Sequence, residues 1–285
     1  MFRQFVRCAV LLACPLWAAP EPGMLRAWLM GIANQQLAAR REAVSAIQTR
    51  AQLEQRQAET RTKLLRGIGG LPVAAPALNV RKTGVVDRGS YRVEKLIFEG
   101  RPGVFITASL YVPQKGKGPF PAILHSVGHS LAAKNRAFYQ TTDIGLVRHG
   151  FVVLTIDPLG QGERVVFYDR QLGASKAGGT TTEHEMLGLQ SLLAGESIAR
   201  DFIRDGMRGI DLLASRPDVD AKRIGLTGCS GGGTLTTYLA VLDPRVAAAA
   251  PACYVTAWEE QLASGTGPQD AEQQFPDLLR VGLNH

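Results

Sequence analysis

The chain has 285 residues, 45% of them apolar and 20% charged, with a formal net charge of +7. That length holds one large domain or two small ones, with an interior big enough to need no disulfide or metal staple. The positive excess lies in Arg3, Arg7 and the stretch Arg40 to Arg66, where seven Arg and Lys face three Glu; without interleaved aromatics or a recognition motif this is a solvated helix face, and nucleic acid is excluded as a partner.

Met1 to Ala19 reads as a secretory leader: Arg3 and Arg7 supply the charged start, Cys8 to Trp17 the apolar run, and Ala18-Ala19 the small-residue cleavage zone. The run is too short to span a bilayer, so the expected destination is secreted or periplasmic, with no stable membrane insertion. Residues 24 to 66 carry a helical stripe of Leu25, Trp28, Leu29, Ile32, Leu37, Val44 and Ile47, stopped by Gly67 to Pro72. Residues 20–78 are therefore expected to form a helical appendage to a domain spanning 79–285.

That domain opens with a hairpin. Val104, Ile106, Ala108, Leu110 and Val112 alternate with their neighbours, and Tyr91 to Glu99 is the partner strand across Gly100 to Gly103. After a polar turn, Gln114 to Gly118, the pattern changes to short unbroken apolar runs: Ala122-Ile123-Leu124, Phe151 to Leu154, Ile224-Gly225-Leu226 and Val246 to Ala250. Helical stretches near 140–149, 197–214 and 231–242 separate them. Buried strands alternating with helices mean an α/β fold, a mostly parallel sheet covered on both faces, entered through an antiparallel hairpin.

Gly228-Cys229-Ser230-Gly231-Gly232 stands between such a strand and a helix. Strand, G-x-S-x-G, helix is the nucleophile elbow of an α/β-hydrolase. Ser230 is the expected catalytic nucleophile, lifted from the sheet by a strained turn that glycines permit. Cys229 is out of frame, because Thr227 and not glycine stands two residues before it. The oxyanion hole is expected from the amides of Gly231 and of His129, which follows Gly128 in the loop His125 to His129. His125 and His129 are four apart, but at a strand end and with no H-E-x-x-H pattern, so no metal and no cofactor is expected. Asp157 to Arg164 follows the fourth strand; ion pairs through Glu163 and Arg164 or a substrate-facing role both suit it. Cys229 and Cys253 should lie at the ends of adjacent strands, where a bridge is possible; two buried free thiols is the preferred reading.

From about Asn79 onward the chain resembles the acetyl xylan esterase and dienelactone-hydrolase-like branch of the α/β-hydrolases. The residues are Gly118 to Ala122 leading into Gly128-His129, Asp157 to Arg164, Arg208 to Leu213 with Arg216 to Asp220, and Arg223 through Gly233; Gln269 to Gln273 resembles a subgroup often labelled acetyl xylan esterase. The resemblance implies a serine carboxyl-ester hydrolase acting on small-molecule or carbohydrate esters through an acyl-enzyme. In that fold an acid and then a histidine follow the serine. Here the one histidine after Ser230 is His285, a poor place for a rigid base, and Glu259 and Glu260 are weak candidates for the acid. The expectation is that 79–285 is an incomplete hydrolase domain lacking its last strands and catalytic histidine. The rivals are a serine peptidase of the prolyl-oligopeptidase kind, for which the helical segment is too small a gate, and an inactive remnant or binding protein.

Overall fold

The computed structural model describes residues 23–71, 76–265 and 270–275. The leader and His285 lie outside these residues. Helices α1 (Met24–Ser45) and α2 (Arg50–Gly67) come first. The continuous helix expected over 24–66 is thus two helices. Thr49 breaks it: its Oγ1 accepts from the Gln52 amide at 3.2 Å, and Gln52 Oε1 accepts from the Thr49 amide at 3.0 Å. This reciprocal cap satisfies amides that a helix start leaves open. The expected apolar stripe is also not a core seam. Ala33 and Leu37 are buried, but Leu25, Trp28 and Leu29 are half or more exposed. The end of α2 does enter the core, with Leu64 and the following Ile68 fully buried.

A seven-stranded sheet follows, built from β1 (Arg81–Asp87), β2 (Tyr91–Arg101), β3 (Val104–Pro113), β4 (Phe120–Ser126), β5 (Val152–Ile156), β8 (Val219–Cys229) and β9 (Val246–Ala252). The short ribbon β6 (Tyr168–Asp169) and β7 (Ala174–Ser175) lies apart from it. The order is β1-β2-β3-β5-β4-β8-β9. β1, β2, β3 and β5 pair antiparallel in turn, whereas β5, β4, β8 and β9 run parallel. The hairpin and the four apolar runs read from the sequence are all present; β1 is an added outer strand. β9 is the sheet edge among the described residues, and Ala247 to Ala250 on it are exposed.

Helices α3 (Ala137–Arg148), α4 (Thr180–Leu193), α5 (Ala199–Ala214), α6 (Gly231–Leu242) and α7 (Trp258–Ala263), with short 3-10 turns at Ala133–Asn135 and Ala271–Gln273, are the remaining helices among the described residues. The parallel strands are apolar on both sides because both sides are covered. Leu110, Leu124, Leu154 and Leu226 pack with Ile203, Ile210 and Leu213 of α5 and Leu239 of α6. Tyr111 and Val153 face the other way, onto Val147 of α3. Each such Leu or Ile contributes about 1.5–3 kcal/mol by burial. A parallel sheet with this layering places its strand ends, and the loops after β4, β5 and β8, along one rim. Cys229 and Cys253 meet at that rim with sulfurs 2.7 Å apart; Cys229 is half-buried and Cys253 exposed, so the pair is not the buried one expected.

Candidate active site

Ser230 sits between the last residue of β8 and the first of α6, with φ 59° and ψ −124°. A non-glycine residue at positive φ is costly and persists only where its surroundings fix it. They do so here. The Ser230 amide donates to Ala252 O at 3.0 Å, and its carbonyl accepts the Thr234 amide at 3.0 Å. Gly228 and Gly232 let the chain close around the turn: a Cβ on Gly228 would lie 2.6 Å from the Gly232 carbonyl carbon, and one on Gly232 2.6 Å from that of Ser126. The Ser230 side chain is exposed, at the N-terminus of α6. Cys229 is a poor rival nucleophile, since burial, then the contact with Cys253, pushes its thiol up to about 11.

The loop after β4 packs onto the elbow. A Cβ on Gly128 would lie 3.1 Å from Ser230 Cβ, and one on Gly231 would lie 2.8 Å from Cε1 of His129. So His129 and Gly231, the two residues expected to supply oxyanion donors, are in contact beside the serine. The loop is held from both sides: the Gly128 amide donates to Tyr139 Oη at 2.9 Å and the Ser130 amide to Gln161 Oε1 at 2.6 Å. The His129 amide itself makes no hydrogen bond within the described residues.

Gln161 belongs to the Asp157–Arg164 turn, which is structural. Asp157 is fully buried and accepts from Thr107 Oγ1 at 2.7 Å and from the Lys134 ammonium. Lys134 also pairs with Glu163 at 2.6 Å, and Arg164 with Asp205 at 2.7 Å. The ion-pair reading of this stretch is the one that the geometry bears out. His125 turns away from the site, its Nδ1 2.6 Å from buried Asp143; it is no partner for His129.

His129 instead meets residues that spacing could not connect to it. His184 on α4, Asp270 and Glu272 all offer ligand-type atoms within 4.8 Å of one another and of His129. His184 Nδ1 lies 3.0 Å from Asp270 Oδ2, and His129 Nε2 lies 3.1 Å from the same oxygen. Burial pushes the Asp270 carboxyl up, but His129 and His184 outweigh it and hold it well below the usual carboxylate range. Glu272 goes the other way: burial, reinforced by the charge of Asp270, pushes it well above that range. The sequence signalled Asp270 and Glu272 only as part of the stretch Gln269 to Gln273, and His184 not at all.

No imidazole is hydrogen-bonded to Ser230 Oγ among the described residues. Glu259 is committed elsewhere, its carboxylate 2.7 Å from Arg41 of α1.

A profile of the acetyl xylan esterase (AXE1) family matches residues 69–261. The chain belongs to the acetyl xylan esterase family. Members of this family are carboxylic-ester hydrolases. A curated relative named "Putative hydrolase YtaP", from Bacillus subtilis (strain 168), is 29% identical over 207 residues, which is 69% of this chain and 64% of the relative. Among solved structures, an acetyl xylan esterase candidate from Bacteroides fragilis NCTC 9343 superposes with a TM-score of 0.65 at 19% identity, over 81% of this chain and 63% of that one. Methylesterase BT1017 gives a TM-score of 0.60 at 25% identity, over 89% of this chain and 53% of that one. Acetyl xylan esterase 1 from Thermoanaerobacterium sp. JW/SL YS485 gives 0.53 at 22% identity, over 73% and 62%. These likenesses establish the α/β-hydrolase fold for the family member described here. The chain spans about two thirds or less of the length of each of these relatives.

Proposed function

We propose that this family member carries the nucleophile and the oxyanion donors of a serine carboxyl-ester hydrolase that removes acetyl or similar acyl groups from a carbohydrate. The observation that carries the reading is Ser230: a strained, exposed serine at a helix N-terminus, in contact with Gly128 of the loop that bears His129. Ser230 Oγ attacks the ester carbonyl and its proton passes to an imidazole. The amides of Gly231 and His129 hold the oxyanion, and collapse expels the sugar hydroxyl with that proton. Water then cleaves the acyl-enzyme by the same route in reverse.

The base and its orienting carboxylate are assigned to sequence downstream of the described residues, in the order serine, acid, histidine. Support comes from the lack of an imidazole on Ser230 Oγ among the described residues. The division into a helical appendage at 20–78 and a hydrolase domain from 79 needs one qualification, because Leu64 and Ile68 belong to the common core. Export rests on the leader at 1–19; among the described residues no helix is long and apolar enough to cross a membrane.

The test is acetate release from an aryl acetate and from acetylated xylo-oligosaccharides, with fluorophosphonate labelling read by mass spectrometry. The 285-residue chain should label slowly at Ser230 and turn over barely above background, since loss of a triad member costs up to about 10⁶-fold. Ser230→Ala should abolish labelling without changing the fold. Labelling that survives Ser230→Ala refutes the nucleophile assignment. Rapid Ser230-dependent turnover that persists in His285→Ala refutes a base downstream of the described residues.

A further inference from the structure

His184 is fully buried, and its Nε2 lies 2.7 Å from the carbonyl oxygen of Leu159. A carbonyl oxygen can only accept, so Nε2 carries a proton. In a neutral ring Nδ1 is then a lone pair, and it points at Asp270, 3.0 Å from Oδ2 and 3.2 Å from Oδ1. Lone pair against carboxylate is repulsive; something positive belongs there. A second proton on His184 would answer this contact alone. It would leave Glu272 Oε1 at the same place without a donor, a buried oxygen 3.9 Å from His129 Nε2, which itself lies 3.1 Å from Asp270 Oδ2. Glu272 is itself more than nine-tenths buried.

One divalent cation between the four groups would meet the His184–Asp270 contact and the open Glu272 oxygen together. We infer that His129 Nε2, His184 Nδ1, Asp270 Oδ2 and Glu272 Oε1 form a binding site for a zinc-class divalent metal ion. Two imidazole nitrogens and two carboxylate oxygens are a donor set that suits zinc. The four atoms fall within 4.8 Å of one another, and three of their separations are 3.0, 3.1 and 3.9 Å. Tetrahedral zinc with bonds of about 2.1 Å spaces its ligands by about 3.4 Å, so closure takes shifts of about 1 Å. His184 has the outer contact that metal-bound histidines usually make, the far N–H given to a carbonyl. The ligands come from the loop after β4, from α4 and from the segment at 270–272, and Glu272 Oε1 would lie 2.7 Å from a Cβ placed on Gly231. The ion would therefore tie three separate stretches together beside the elbow and fix the loop that carries the His129 amide. The site is independent of the ester-hydrolase reading, because its test reads metal and not turnover.

The full 285-residue chain, freed of metal with a chelator, is titrated with Zn²⁺ against a chromophoric competitor. One equivalent should bind more tightly than about 1 μM, weak for a built four-ligand site. At a hundredfold excess over Kd the melting temperature should rise by roughly 5–10 °C. Glu272→Gln keeps the shape and removes the ligand charge; it should weaken binding at least about 100-fold. His149→Gln, at an exposed helix end, should leave binding unchanged. Should Glu272→Gln fail to fold, imidazole ¹⁵N chemical shifts of the wild-type chain decide: a Zn²⁺-dependent shift at His184 Nδ1 supports the site. Three results overturn it. The folded chain takes up no stoichiometric Zn²⁺; or uptake survives Glu272→Gln and disappears when Cys229 and Cys253 are alkylated; or His184 is doubly protonated and indifferent to Zn²⁺.

Discussion

Gly232→Ala is the sharpest probe of the elbow. The new methyl would sit 2.6 Å from the carbonyl carbon of Ser126 and 3.0 Å from that of Val127. Ordinary carbon contacts are about 3.5 Å or more, so one side must retreat by about 1 Å. Both sides are backbone: the first turn of α6 and the loop that carries His129. Neither can rotate out of the way as a side chain does. Overpacking of this kind costs about 3 kcal/mol, the upper part of the usual range, which for a domain of this size is a fall in Tm of roughly 6–12 °C. The same retreat of about 1 Å would shift the loop that carries His129 relative to Ser230, a misplacement worth about 100-fold in rate if those amides serve as proposed. Gly145→Ala is the matched control: it lies exposed inside α3 with nothing within 4 Å of the added methyl, and it should stabilise by about 0.5–1 kcal/mol. Differential scanning calorimetry and the fluorophosphonate labelling rate read both effects. A Gly232→Ala protein that melts within two degrees of wild type and labels at the same rate would refute the claim that glycine is needed for closure of the elbow.

Thr49→Ala removes half of a capping box and should cost about 1 kcal/mol, seen as a melting point roughly 2–4 °C lower. Glu94 is buried, within 3.3 Å of Lys82, Arg92 and Arg216. Burial pushes its carboxyl up, but the Arg92 hydrogen bond and the charges of Arg216 and Lys82 outweigh that and hold it below the usual range. Its contribution is therefore present above the unfolded carboxyl's pKa of about 4.3 and is lost as the pH falls through the lower folded value. Glu94→Gln should lower stability by about 3 kcal/mol at pH 7 and flatten the acid limb of a Tm-against-pH curve; an unchanged limb refutes the assignment. Cys229 and Cys253, with sulfurs 2.7 Å apart, should form one intramolecular bridge under a mild disulfide oxidant, read as the loss of two hydrogens in the mass of the joined peptides. Two independently alkylated thiols after that treatment would refute it.

The sequence was most legible where local pattern and burial agree. β3 alternates and faces the core on one side; β5 is an unbroken apolar run and is covered on both. Ser230 was legible because its turn chemistry is local, packed into five residues. The break at Thr49 was visible as T-x-x-Q, yet the apolar stripe on either side suggested one helix. That stripe misled for a tertiary reason: α1 is held at α7 by polar contacts, Arg26 to the Leu262 carbonyl and Arg41 to Glu259, so Trp28 and Leu29 stay exposed. The group around His129 was not legible. His184 and Asp270 lie on elements whose placement is decided by packing, and no spacing rule joins them to the loop after β4. Glu183 and His184 are both wholly enclosed, although nothing in their sequence neighbourhood marks them as buried.

His129 belongs to two assemblies at once, with its ring against Gly231, the residue after Ser230, and its Nε2 facing Asp270. That arrangement sets an order of events during synthesis. The imidazole gains its acidic neighbours only when residues 270–272 have been made. A nascent chain that has not yet made residues 270–275 also lacks Ala271 and Phe275 of the main core, so the surroundings of the imidazole and the last of the packing arrive together.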